Sequence, residues 1–468
     1  MKKLFLKLFV LTTIVVLFLF LGNKYFKTKE HSVKTWTQFY SNTGTDYDVV
    51  IMGNSVAYST FDPRIINSKS SLKSFNLSSA SISVQQVYFN LIEMLKYSKP
   101  QLLVVEAYAL DVKNSNVGKR RKFNYKNIDG QKLSFNKMVS IYNVFETKTQ
   151  MIEAMFPTVR NHSEWSNFEF IEKNSKYTYK ENPFLGFRNL NVEGTDARIA
   201  KTLGKLPTSY EITEDNKDYF KKIVALCKEN DIKLVLARAP QFKHQSNPQY
   251  VEEIHTVTNE LIKGLDVTYI DFDKDYAKNN FVKSDFYDAL HLNRRGAVKA
   301  TDLLIEVIEN NLDLEKNAEI AKTTPEYLIK NIASDNSKQL LDEPFSPFED
   351  ITINKIYIQH REDDIYNIVI FIDKKSNIKK IEDYKFSLHF EPIDAQKDKL
   401  LSEAERKRGK MVIGATGTPL IETSDYYVRF VSSKEIPMTD IKRFTTYLYD
   451  GNDVSEMKRV TNFKLKQK

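Results

Sequence analysis

The stretch LFLKLFVLTTIVVLFLFLG, Leu4 to Gly22, is interrupted only by Lys7 and two threonines. At about 1.5 Å per residue such a helix reaches about 30 Å, the hydrocarbon thickness of a bilayer. The pattern predicts a membrane-spanning helix. The bland alternative is a buried core helix, but an all-round apolar segment at the extreme amino terminus has nothing to pack in. Lys7 lies near an end and can snorkel, and no small-x-small cleavage site follows, so residues 1–28 read as an uncleaved signal anchor. Lys24, Lys27 and Lys29 follow the span and offset Lys2, Lys3 and Lys7 under the positive-inside rule. The expected arrangement is a single-pass cell-membrane protein with the bulk of the chain outside the cytoplasm.

Beyond the anchor, a 468-residue chain exceeds what one hydrophobic core usually organises. Its 41% hydrophobic and 28% charged residues are ordinary globular composition. The net charge of +8 fits an anionic membrane surface or wall polymer as well as nucleic acid, so charge alone selects no partner. Cys227, the one cysteine, permits no internal disulfide and falls in an apolar helical stretch that reads as core.

From about 47 to 312, short apolar runs alternate with amphipathic helical patterns. Expected strands are Val49 to Met52, Ser74 to Leu77, Leu102 to Glu106, Ile232 to Ala237 and Val267 to Phe272, each of the length expected when both faces are covered. Helices are expected from Val84 to Leu95, capped by Ser81 or Ser83, and over 214–229, 249–264 and 295–310. Strand alternating with helix implies an α/β fold: a parallel sheet between helical layers, with its active crevice at the carboxyl ends of the strands. Residues 112–212 interrupt the alternation with KRRK (119–122), a helical pattern around 136–155 and an irregular aromatic stretch, which reads as a lid or binding insertion. The α/β domain is thus expected over 29–315, followed by a polar linker at 316–345. A β-rich, sandwich-like domain at 346–468 has strands expected at 351–358, 365–372, 386–390, 426–430 and 445–449, with exposed aromatics to hold a glycan. GATGT (414–418) lacks a Walker lysine and reads as a turn, and ERKRGK (405–410), like KRRK, reads as a solvated face.

Ser55, in VVIMGNS, follows the first expected strand. Serine becomes a nucleophile only when a base removes its proton, and the base needs a third group to hold its tautomer. Asp288 and His291, in FYDALHLNRRG, lie three residues apart between the last expected strand and the last helix, which places them at the same crevice. The competing readings are that Ser55 caps a following helix, and that Asp288 caps the last helix while His291 packs. Arg238 ends an expected strand and faces either the crevice or a structural ion-pair partner. His162, in RNHSEW, reads either as an acceptor contact from the lid or as part of an ordinary loop. The seven scattered histidines form no metal-ligand cluster, and no cofactor or nucleic-acid chemistry is expected.

These motifs resemble the SGNH (GDSL) hydrolase superfamily: GNS at 53–55 is similar to its nucleophile block and DALH at 288–291 to its Asp-x-x-His block. The anchor, FNLSSASISVQQVYFNLIEML, PQLLVVEAY and FPTVRNHSEW are similar to membrane-anchored members near the teichoic-acid D-alanylation protein and the alginate-type O-acetylation proteins. The resemblance covers about residues 45–312, and the 112–212 insertion only in pieces. It implies a flavodoxin-like three-layer domain with Ser55 as nucleophile, His291 as general base then acid, and Asp288 as orienter. Asn54 stands where the archetype has aspartate. Ser79 and Ala80 lie where a glycine often donates an oxyanion N–H, and Glu106 or Tyr108 where many members carry an asparagine.

The implied function is O-acyl transfer, with acetyl expected, onto a cell-envelope polysaccharide or teichoic-acid-like polymer, with a multi-pass membrane O-acyltransferase as donor. An esterase using the same triad and a non-catalytic envelope scaffold are the alternatives.

Overall fold

The computed structural model describes residues 2–27, 29–42, 46–114, 118–175, 184–190, 193–316, 320, 337–341, 343–360, 366–377, 385–396, 401, 403–415, 421–422, 425–432, 441–450 and 453–461. These form two compact units, residues 1–67 with 72–316, and residues 317–468 with 68–71.

The first unit opens with α1 (Lys2–Phe26), an apolar helix long enough to cross a membrane, and α2 (His31–Ser41). The alternating part follows as β1 (Val49–Met52), α3 (Ser55–Thr60), α4 (Pro63–Ser70), β2 (Ser74–Asn76), α5 (Val84–Met94), β3 (Leu102–Glu106) and α6 (Tyr108–Asp111). Next come the insertion helices α7 (Lys119–Gly130), α8 (Phe135–Val144), α9 (Lys148–Met155), α10 (Pro157–Arg160), α11 (Phe168–Ser175) and α12 (Asp196–Leu203). The alternation then resumes with α13 (Glu214–Glu229), β4 (Lys233–Arg238), α14 (Pro248–Ile262), β5 (Thr268–Asp271) and α15 (Arg294–Asn311).

The five strands are parallel in the order β2-β1-β3-β4-β5, that of a doubly wound sheet. Period-two alternation sends successive residues to opposite faces. Val50, Met52, Leu103 and Val105 join a core with Trp36 of α2, Val87 of α5 and Phe220 of α13. Val49, Ile51, Leu102 and Val104 join a second with Ala57 of α3, Ile65 of α4 and Leu304 of α15. The sheet therefore lies between two helical layers. Double cover is why β1 and the first four residues of β3 read as unbroken apolar runs, and all residues of both strands, Glu106 included, are buried. Ser83 occupies the N-cap position of α5 without a side-chain bond, and Ser81 takes φ +55°.

The expected helical pattern at 136–155 is two helices. Thr147 breaks it by capping α9, its side chain accepting from the Gln150 N–H.

In the second unit, β6 (Ser337–Gln339), β7 (Phe345–Phe348), β8 (Ile351–His360), β9 (Tyr366–Asp373) and β10 (Lys385–Pro392) precede a short helix, Glu403–Arg408. Five further strands follow: β11 (Met411–Ala415), β12 (Ile421–Glu422), β13 (Tyr426–Ser432), β14 (Ile441–Asp450) and β15 (Asp453–Thr461). One antiparallel sheet runs β12-β13-β9-β8-β6 with β7 on β8, and the other runs β11-β10-β14-β15. Ile356, Ile358, Ile368 and Ile370 from the first sheet pack with Phe390 and Leu448 from the second.

Two expectations are corrected here. The linker at 316–345 carries β6 and the start of β7. Gly414 and Ala415 pair in a strand with Ser387 and Phe386, while the remainder of GATGT lies outside the described residues. Of the aromatics expected to hold a glycan, Tyr357, Tyr426 and Tyr427 are partly buried, while the side chains of Tyr366, Phe386, Phe430 and Phe444 lie outside the described ones.

Candidate active site

β1 ends at Met52 and the chain turns sharply through Gly53 into α3. Gly53 has φ +156°, and a Cβ there would lie 2.8 Å from Ala57 Cβ and 2.9 Å from Glu106 Cβ, so only glycine fits between helix and neighbouring strand. Asn54 is the N-cap of α3, its side-chain amide oxygen Oδ1 accepting from the Val56 N–H at 3.0 Å. Ser55 is therefore the first helical residue and not the cap. Its hydroxyl is left to face the carboxyl edge of the sheet, half-buried.

The second half of the site is a tight loop before α15. Phe286 and Leu292 bridge its stem, and the Tyr287 N–H donates to the His291 carbonyl at 2.9 Å. Asp288 Oδ1 accepts the N–H groups of Leu290 (2.8 Å) and His291 (2.9 Å). Asn293 caps α15 by accepting from Arg295 and Gly296, so the capping role considered for Asp288 is filled by another residue.

The two halves meet. His291 Nε2 lies 2.9 Å from Ser55 Oγ, and His291 Nδ1 lies 3.0 Å from both carboxylate oxygens of Asp288. An ionised carboxylate only accepts, so Nδ1 carries the proton and donates it to Asp288, leaving Nε2 to accept from the Ser55 hydroxyl. Burial raises the Asp288 carboxyl, but the hydrogen bond and charge of His291 and the two backbone N–H donors outweigh it and hold the group below the ordinary range. Side-chain exposures of 20% for His291 and 10% for Asp288 leave the imidazole reachable from solvent and the carboxylate mostly shielded.

The other expected site residues fall elsewhere. Ser79 donates its N–H to the Gly53 carbonyl at 3.0 Å and its hydroxyl pairs with Ser32 at 2.6 Å, so its backbone donor is not available to an oxyanion. The Ala80 N–H has no hydrogen-bond partner among the described residues. Glu106 is fully buried behind Gly53 and accepts from the Tyr108 (3.1 Å) and Ala239 (3.4 Å) N–H groups. Burial pushes its carboxyl up to about 8, against the pull of Arg238, so the neutral acid predominates at pH 7. The Tyr108 hydroxyl is likewise raised by burial, to about 12, and its ring lies under Lys243 Nζ at 5.0 Å. His162 is exposed on the segment packed against α1, and its ring meets the Val159 carbonyl at 3.1 Å, not the triad.

Arg238 takes the structural role. It is completely buried and pairs with Asp111 through two nitrogens at 2.9 and 3.1 Å, with Tyr210 as a third partner at 3.0 Å. Removing one partner strands a buried charge, so Arg238→Ala should lower unfolding free energy by about 3–5 kcal/mol, measured by urea unfolding of the full chain in detergent. A loss under 1 kcal/mol would contradict that role.

Sequence reasoning missed Tyr58 and Arg188. Tyr58 lies one helical turn after Ser55, and its hydroxyl accepts from Arg188 Nη1 at 3.4 Å. The edge of the His31 ring packs 4.6 Å from the Tyr58 ring. The signal for Tyr58 was its i+3 spacing from Ser55; Arg188 gave none, because it arrives from the insertion. The Arg188 N–H donates to the Tyr58 carbonyl at 2.7 Å, and Gly186 sits so close to the Asn76 carbonyl that a Cβ would overlap it. Farther along, Gly194 donates to the Phe286 carbonyl and Thr202 accepts from the Ala289 N–H. The insertion thus braces both the serine turn and the histidine loop.

No family model, no curated protein and no solved structure matches the chain.

Proposed function

We propose that this chain is a membrane-anchored SGNH-type O-acyltransferase. It would act outside the cytoplasm, moving acetyl or a similar short acyl group onto a hydroxyl of a cell-envelope polysaccharide or teichoic-acid-like polymer. The observation that carries the chemistry is the continuous Ser55–His291–Asp288 chain of hydrogen bonds, drawn from segments 233 residues apart between Ser55 and Asp288. The choice of substrate and of transfer over hydrolysis rests on the sequence resemblance, and the 2-1-3-4-5 parallel sheet is compatible with it.

In this reading Ser55 Oγ attacks the donor's ester carbonyl while its proton passes to His291 Nε2. The tetrahedral oxyanion collapses, the donor's leaving group departs with the proton from His291, and Ser55 keeps the acyl group. The acceptor hydroxyl then gives its proton to Nε2 and attacks the acyl-serine, and Ser55 leaves with that proton. Asp288 stays ionised and stabilises the imidazolium in both halves. The Ser55 N–H also lacks a partner among the described residues. With the Ala80 N–H and the Tyr58 hydroxyl it supplies the oxyanion donors, in place of Ser79. A multi-pass membrane O-acyltransferase would deliver the acyl group.

The test is incubation of the full chain in detergent with an acylated donor ester and an unacylated polyol or glycan acceptor. The expected result is acylated acceptor, lost in Ser55→Ala. Free acid with no acylated acceptor would replace transfer by esterase activity.

A further inference from the structure

Outside α1, nine large hydrophobic side chains are exposed among the described residues, and seven of them fall between 133 and 168. Such a concentration marks a contact surface. On α8, Phe135, Met138 and Tyr142 point outward at i, i+3 and i+7, whereas Asn136, Lys137 and Ser140 are buried on the opposite side together with Ile141 and Val144. Both faces of the helix thus carry apolar residues, where a surface helix in water keeps its outward face polar. Trp165 and Phe168 add exposures of 48% and 80%.

The segment that carries Trp165 and Phe168 lies beside the last turns of α1. Thr158 donates its hydroxyl to the Leu19 carbonyl at 3.0 Å, and Asn161 donates to the Phe26 carbonyl at 2.7 Å. Phe156 packs on Phe20, and Phe170 stacks on Phe26. The Trp165 indole donates to the Thr158 carbonyl at 2.9 Å, tying that turn to the same place. On the other side, Arg160, next to Asn161, pairs with Asp129 of α7, and Lys137 of α8 donates to the Gln131 carbonyl at 3.1 Å, which ties the α7–α8 turn bearing Leu133 and Phe135 to the segment held on α1. From Leu4 to Leu21, α1 is exposed and apolar over about 27 Å, so its last turns are where a spanning helix leaves the hydrocarbon.

We infer that α8 to α11 form a second membrane contact. The apolar face of α8 and the Trp165–Phe168 turn would insert into the lipid headgroup and acyl boundary beside α1, to a depth of about 5–10 Å. Aromatic side chains at the water interface are the residues suited to that position. The exposed side chains that define this face are apolar and aromatic, so apolar insertion drives the contact. Held by both the span and this platform, the unit carrying Ser55 has a fixed height above the leaflet.

The chain has two tryptophans, and Trp36 is buried, so Trp36→Phe leaves Trp165 as the reporter. With the full chain reconstituted in phosphatidylcholine vesicles, lipids brominated near the carbonyl end of the acyl chain should quench Trp165. Bromines near the methyl end should quench it less, and Phe135→Ser with Phe168→Ser should abolish the effect. Absence of quenching while α1 remains resistant to carbonate extraction would overturn the inference. So would emission that is blue-shifted in native membranes but unquenched in pure lipid vesicles, because the face would then be covered by a protein. If Trp36→Phe weakens the core, Phe168→Cys carrying an environment-sensitive dye in a Cys227→Ser background gives the same readout, with dye emission unchanged on vesicle insertion as the opposing result.

Discussion

Ser55→Ala should abolish covalent labelling of the full chain by a fluorophosphonate probe and reduce turnover of a soluble acyl ester by roughly 10⁴–10⁶-fold. The expectation follows from the contacts. Ser55 Oγ, 2.9 Å from His291 Nε2, is the hydroxyl placed for deprotonation by that imidazole. Neighbouring hydroxyls are placed differently. Ser59 donates to the Ser55 carbonyl at 2.9 Å within α3, and Ser79 is paired with Ser32. Alanine at the first helical position leaves the Asn54 cap and the Gly53 turn in place, so circular dichroism and urea unfolding should change little. Labelling that persists in Ser55→Ala at the wild-type rate would mean another nucleophile. Absence of labelling in the wild-type chain, at high probe concentration and with the fold intact, would favour a scaffold whose triad geometry is kept without turnover.

Much of this arrangement was legible because it depends on patterns that a sequence carries. Strands covered on both faces are apolar over nearly their whole length, and Val49–Met52 and Leu102–Glu106 emerged at their expected bounds. Parallel strands put their carboxyl ends on one edge, which is why Ser55 and the Asp288–His291 loop could be assigned to one crevice from their order alone. The illegible parts depend on backbone groups and distant partners. The N–H of Ser79 is consumed by the Gly53 carbonyl, an interaction without a side-chain signature. Arg238 finds Asp111 across 127 residues of chain, and only the fold decides that this pair outranks the crevice. Arg188 reaches Tyr58 across 130 residues, from an insertion whose own sequence reads as irregular. In the second unit β6 is three polar residues at a sheet edge, and β7 contains Pro347, a residue that argues against a central strand but is tolerated at an edge.

Asp288→Asn separates the architecture of the histidine loop from the proton logic of the site. The Asp288 carboxylate has two duties: Oδ1 accepts the Leu290 and His291 N–H groups that shape the loop, and both oxygens accept the proton of His291 Nδ1. An asparagine oxygen can keep the first duty, so the loop and the Phe286–Leu292 bridge should survive. The amide nitrogen then faces Nδ1 as a donor, which favours the tautomer protonated on Nε2. That nitrogen points at Ser55 as a donor and can no longer accept its proton. Turnover at neutral pH should fall by about 10³–10⁴-fold, and stability there should fall as well, because the contribution of the ionised carboxylate is lost. The pH response of stability should change in a defined direction. In the wild-type chain the Asp288 carboxyl is held below its ordinary 3.8, so its contribution is present above that value and is lost as pH falls through the lower folded value. The asparagine variant lacks this acid-side loss, and its stability should converge on that of the wild type as pH drops below 4. A variant that retains more than a tenth of wild-type turnover would show that His291 does not depend on Asp288 for its tautomer. One that loses activity together with its fold would assign Asp288 to the loop alone.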